Sequence, residues 1–78
     1  EAVVVDHLPG KGKYQGMLGA LLVEDAQGRM FRLGSGLSDE QRRVPPARGS
    51  RVSYRYQGRT LKGLPRFARF LRLRASVE

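Results

Sequence analysis

The chain has 78 residues, 40% hydrophobic and 28% charged, which is the size and balance of one small globular domain. A chain this short hides only about 60% of the surface its unfolded form exposes, so it has a thin core and no room for a deep catalytic cleft. Fifteen Lys and Arg stand against seven Asp and Glu, a net charge of +8, and twelve of those cations are Arg.

Residues 2–8 are apolar and β-branched and stop at the turn signal Pro9-Gly10. Gly10-Lys11-Gly12-Lys13 reads as a short basic loop. Residues 17–24 are predicted to form a long, largely buried strand, with Gly16 and Gly19 marking a bulge or sharp bend within it. A hairpin turn at Asp25-Ala26-Gln27-Gly28 leads into a strand over residues 29–33. There Phe31 and Leu33 share one face, and Met30 and Arg32 the other.

Ser38 followed three residues later by Gln41 is a capping-box pattern, and Asp39 and Glu40 sit where a helix dipole favours acids. Arg42 and Arg43 suit the opposite end of that dipole. Pro45 and Pro46 stop the helix, since Val44 is pushed out of the α region. Residues 50–57 alternate, with Val52, Tyr54 and Tyr56 expected in the core and Arg51, Ser53 and Arg55 outside. A basic loop over residues 58–65 carries Arg59 and Lys62. The last strand is predicted over residues 66–74, with Phe67, Leu71 and Leu73 on one face and Arg66, Phe70, Arg72 and Arg74 on the other. Five strands with a short helix between the third and fourth make an all-β fold, the Greek-key barrel known as the OB-fold.

Chemistry of the familiar catalytic kinds is not visible. There is no cysteine and a single histidine, His7, so Cys-based and multi-His metal sites are excluded. His7 ends an apolar strand and reads as an ordinary, partly buried imidazole. Lys11-Gly12-Lys13 lacks the spacing and the strand-to-helix switch of a P-loop, though it suits phosphate contact. The longest apolar run, residues 20–23, is far too short to span a bilayer, and no amphipathic helix offers itself to a membrane.

The strongest signal is the arginine run Arg66, Arg69, Arg72 and Arg74. With simple alternation Arg66, Arg72 and Arg74 point to one side, where they repel one another unless an anion neutralises them. Guanidinium groups match phosphate geometry, so nucleic acid or a nucleotide is the expected ligand. Phe70, placed among those arginines, is expected to be a base or sugar contact or else the anchor of an interdomain dock.

Four stretches carry a resemblance to a known family. They are Pro9-Gly10-Lys11-Gly12-Lys13-Tyr14, Gly16-Met17-Leu18-Gly19-Ala20-Leu21-Leu22-Val23, Gly34-Ser35-Gly36-Leu37-Ser38-Asp39-Glu40, and the segment from Pro65 to Arg74. In that order they resemble the C-terminal OB domain of ATP-dependent DNA ligases, most of all the minimal bacterial enzymes. The resemblance covers nearly the whole chain, as one domain over residues 1–78. It implies a monomeric module that binds the backbone of nicked double-stranded DNA without reading sequence, in replication, repair or recombination. It also implies a second pose, closed over the ATP of an N-terminal adenylation domain of the same polypeptide, with a divalent metal such as Mg in that parent.

Carried over by position, Arg66, Arg72 and Arg74 are the expected nucleotide contacts. Lys11, Lys13, Arg32, Arg51, Arg55, Arg59, Lys62 and Phe70 are the expected DNA contacts. The resemblance places the parent in the bacterial cytoplasm, or in the periplasm if it carries a signal peptide. Two departures stand out: Arg74 runs into Ala75-Ser76-Val77 where many larger ligases have an Asp-Lys pair, and no Lys-x-Asp-Gly supplies a nucleotide-accepting lysine. This chain is therefore expected to be a non-catalytic part of a ligase. The competing expectation is a self-standing OB module for single-stranded DNA or RNA, which would use Phe70 or an exposed Tyr for stacking.

Overall fold

Apolar residues recurring at alternate positions draw five strands onto one shared core. A computed structural model describes residues 1–74. The strands are β1 (Ala2–Pro9), β2 (Leu18–Asp25), β3 (Met30–Leu33), β4 (Arg51–Arg55) and β5 (Arg69–Arg74), with one helix, α1 (Asp39–Arg43). Residues 75–77, where the family resemblance would look for its Asp-Lys pair, lie outside the described residues.

The strands form one antiparallel sheet in the order β3-β2-β1-β4-β5. Its two edges approach each other just beyond β3, where the Phe70 N–H donates to the Ser35 carbonyl at 2.9 Å. Gly36 makes this seam possible: its φ is +84°, and any Cβ there would overlap the Phe70 carbonyl oxygen. The architecture is the all-β OB barrel expected from the alternation. At its centre lie Val4, Leu21, Val23, Leu33, Val52 and Phe70, all fully buried.

The β1–β2 ladder slips between Leu8 and Pro9, so that Gly19 is left without a partner and lies beneath the backbone of Pro9 and Gly10. The glycine-marked bulge is thus present at Gly19. Gly16 instead precedes the strand, in a turn with φ +82°. Helix α1 begins with the expected capping box. Gln41 N–H donates to Ser38 Oγ at 3.1 Å, and Ser38 N–H donates to Gln41 Oε1 at 2.8 Å. It ends at Val44, whose φ of −126° and ψ of 78° are no longer helical, as the following proline requires.

The last strand differs from its sequence reading. Residues 66–68 belong to the preceding loop. There Gln57 N–H donates to the Arg66 carbonyl and Arg66 N–H to the Gly58 carbonyl, at 3.0 and 2.8 Å. Within β5, Tyr54 pairs with Phe70 and Ser53 with Arg72, so Leu71 is the extra residue of a β-bulge. That insertion reverses the faces on its N-terminal side. Phe70 turns into the core at 1% exposure, Leu71 is 46% exposed, and Leu73, paired with Val52, remains 49% exposed. Tyr56, expected in the core with Tyr54, lies past the end of β4 and is exposed, because the strand stops at Arg55.

Candidate nucleic-acid interface

Cross-strand partners in an antiparallel pair share a face. On β4 and β5 the pairs are Arg51 with Arg74, Ser53 with Arg72, and Arg55 with Arg69. Val52 and Phe70, between them in sequence, are buried, so these pairs form the outer face. Five of the six positions are arginine, and all five are exposed. Two of the three rungs set like charges directly opposite one another, an arrangement that destabilises a sheet until an anion lies across it. Guanidinium forks on a fixed strand surface suit phosphoryl oxygens. One acid touches the ladder among the described residues: Glu1 Oε2 lies 2.6 Å from Arg74 Nη1.

The structure thus brings together Arg51, Arg55, Arg72 and Arg74, which the sequence assigned to two different ligands. It adds Arg69, which simple alternation put on the wrong side. Phe70 is not a surface contact, since the bulge buries its ring in the core. Arg66 is not on the ladder either; it sits in the loop before β5 with its guanidinium 5.5 Å from the centroid of the Phe67 ring. Arg59 is engaged by its own loop, donating to Tyr56 Oη at 3.0 Å and to the Gly63 carbonyl at 3.1 Å. Lys62 is exposed in the same loop, and Arg32 is exposed on β3. Lys11 and Lys13 flank and occupy a 3₁₀ turn (Gly12–Tyr14), where the sequence suggested only a loop.

Other charged groups serve the barrel. Asp6 accepts from its neighbour's backbone, His7 N–H, at 2.8 Å and from Arg48 Nη2 at 3.0 Å; together they hold its carboxyl below the usual carboxylate range. His7 is half-buried, with Nε2 2.6 Å from the Pro46 carbonyl, an ordinary satisfied imidazole. Tyr54 lies edge-on to Phe31 at 5.0 Å between ring centroids, and burial, reinforced by the Asp25 charge, pushes its hydroxyl up. Arg42 is the larger surprise: a cation from the last turn of α1, it is only 5% exposed. No residue pattern marked it for burial. Among the described residues no cluster of His, Cys, Asp and Glu is suited to a metal ion.

A family model described as the DNA ligase OB-like domain matches residues 9–74. The chain belongs to that family. Its relatives include a DNA ligase of Haemophilus influenzae, 40% identical over 72 residues that make up 92% of this chain and 26% of the relative. Among solved structures, one from a structure–function study of Lig E DNA ligases, described as binding DNA with a minimal scaffold, superposes with a TM-score of 0.92. It is 53% identical over 94% of this chain and 28% of its own. Pmar-Lig_PreS3 superposes with a TM-score of 0.76 at 32% identity, over 92% of this chain and 20% of that one. The DNA ligase OB-like domain described here therefore spans about a quarter of the length of the ligases it matches.

Proposed function

We propose that this chain is the OB domain of an ATP-dependent DNA ligase of the minimal bacterial type, and that its β4–β5 face grips phosphates. The observation that carries the reading is the five-arginine ladder of Arg51, Arg55, Arg69, Arg72 and Arg74. In one pose the ladder and the lysines of the 3₁₀ turn lie along the backbone of nicked duplex DNA. In the other, the domain turns toward an adenylation domain and Arg72 and Arg74 meet the triphosphate of ATP. Both ligands then use adjoining parts of one surface at different stages, so the domain must release one before taking the other. The ladder fits a polyphosphate; the described residues offer no acidic cluster for a divalent ion, which would be held by the partner domain. Sealing is sequence-blind, which agrees with a face that offers phosphate contacts.

Burial of Phe70 counts against the alternative, a self-standing module for single strands, because it removes one of the stacking groups that reading named and leaves the exposed Tyr56, with the Arg59 guanidinium over its ring. The test joins the domain to an adenylation domain and measures two steps separately. Arg72→Ala and Arg74→Ala should slow self-adenylation more than the sealing of a pre-adenylated nick. Arg51→Ala and Arg55→Ala should slow sealing and largely spare adenylation. Equal losses in both steps for all four variants would remove the triphosphate from the reading, and no loss in either would remove the ladder.

A further inference from the structure

The guanidinium of Arg42 is held at three points. Nη1 donates to the carbonyls of Leu18 and Gly19, both at 2.9 Å, and Nη2 donates to the Gly34 carbonyl at 2.9 Å. It is thereby locked to the start of β2 and the residue after β3. Its Cζ lies over the Tyr14 ring, 3.9 Å from the centroid, and Tyr14 closes the 3₁₀ turn that follows Lys11 and contains Lys13. Lys13 Nζ lies over the same ring, 5.1 Å from its centroid, and the turn is otherwise held by its own backbone hydrogen bonds. No residue of the turn is buried, and among the described residues no side-chain hydrogen bond anchors residues 11–17. Its backbone bonds close on itself: Gly10 N–H to the Met17 carbonyl and Met17 N–H to the Tyr14 carbonyl, both at 2.9 Å.

We infer that Arg42 and Tyr14 form a strut that positions Lys11 and Lys13 for phosphate contact. Arg42 is a positioning residue and does not itself touch the ligand. The inference rests on the DNA-binding reading above and adds to it how the lysine turn is held. A turn already fixed in its bound shape loses less conformational freedom on binding, which raises affinity without a new contact. Arginine suits the strut because its two terminal nitrogens reach the carbonyls of Leu18, Gly19 and Gly34 while Cζ stays over the ring; a lysine ammonium, a single compact charge, could not span both at once. The strut also separates α1 from the exposed arginines in function: the helix delivers one cation inward, to hold other cations outward.

The experiment is a double-mutant cycle read by binding to a nicked duplex of about 20 base pairs at low salt. Tyr14→Ala should weaken binding about tenfold, the loss expected when one or two ordered side chains become free. The same substitution in a Lys11→Ala/Lys13→Ala background should have no further effect, since the strut acts only through those lysines. Tyr14→Phe, which keeps the stack, should bind like the wild type. The core resonances of Leu21, Leu33 and Phe70 should be unmoved in Tyr14→Ala. Arg42→Lys should reproduce the Tyr14→Ala loss; where that variant does not fold, the tyrosine series decides alone. An equal loss with and without the lysines, or no loss in Tyr14→Ala when the lysine pair itself weakens binding, overturns the strut. An inert lysine pair overturns it as well. Failure of the wild type to bind the nicked duplex at all strikes the functional reading beneath it instead.

Discussion

Phe70 separates a core role from a surface role by about an order of magnitude in expected energy. A fully buried ring truncated to alanine loses its transfer free energy and leaves a cavity, so Phe70→Ala should cost about 3–5 kcal/mol. A phenylalanine standing on an exposed strand face would change stability by only about 0.5 kcal/mol. Chemical denaturation resolves the two readily, through a shift of the midpoint at constant slope. With the total stability of a small domain at about 5–15 kcal/mol, the variant loses from about a fifth to all of it. A fold that tolerates Phe70→Ala would return the residue to the surface, and with it the stacking role. Arg42 shows the same lesson from the polar side. A buried arginine has no sequence signature, because the three carbonyls that hold its terminal nitrogens come from Leu18, Gly19 and Gly34, remote from it in the chain, and its Nε is buried without a partner. Only the folded barrel reveals that this cation is not available to a ligand.

The five strands, the helix cap and the bulge at Gly19 were readable because each leaves a local mark: apolar runs and alternation, a Ser-x-x-Gln spacing, a glycine inside an apolar run. The bulge at Leu71 leaves none. Alternation read across residues 66–74 is correct for Arg72, Leu73 and Arg74 and inverted for Arg69 and Phe70, because one inserted residue reverses every face before it. Hence four arginines of the ladder could be named in advance, while Arg69 and the burial of Phe70 could not. Barrel closure depends on a similarly local device, the glycine at the seam. Gly36 and Gly49 both have strongly positive φ, +84° and +90°, but a Cβ at Gly36 meets the Phe70 backbone and one at Gly49 meets open space. Gly49→Ala should therefore cost about 1–2 kcal/mol, the strain of a left-handed alanine alone. Gly36→Ala adds steric overlap at the seam and should cost about 2–5 kcal/mol. Thermal unfolding of the two variants side by side checks this, and equal losses would mean that the Ser35–Phe70 seam is not what closes the barrel.

For the molecule as a whole, charge decides how it meets DNA. The net +8 is not spread evenly: Arg42 is buried and Arg48 is paired with Asp6, whereas the β4–β5 face collects five guanidinium groups in three rungs, of which Arg74 is paired with Glu1. Such a surface should bind by displacing counterions, with log affinity falling against log salt at about −0.9 per phosphate on duplex DNA. If the ladder and the lysine turn together neutralise about four to six phosphates, the slope should lie between about −3.6 and −5.4. Raising salt from about 50 to 200 mM should then weaken binding roughly 10²- to 10³-fold. Two duplexes of unrelated sequence should give the same line within error, since phosphates position the domain without reporting base identity. Removing Arg51, Arg55 and Arg69 together should flatten the slope by about 2 to 3, one step per phosphate lost, as measured by fluorescence anisotropy across a salt series. A wild-type slope near −1, or a line that differs between the two sequences, would mean that the arginine ladder is not the surface that meets the duplex.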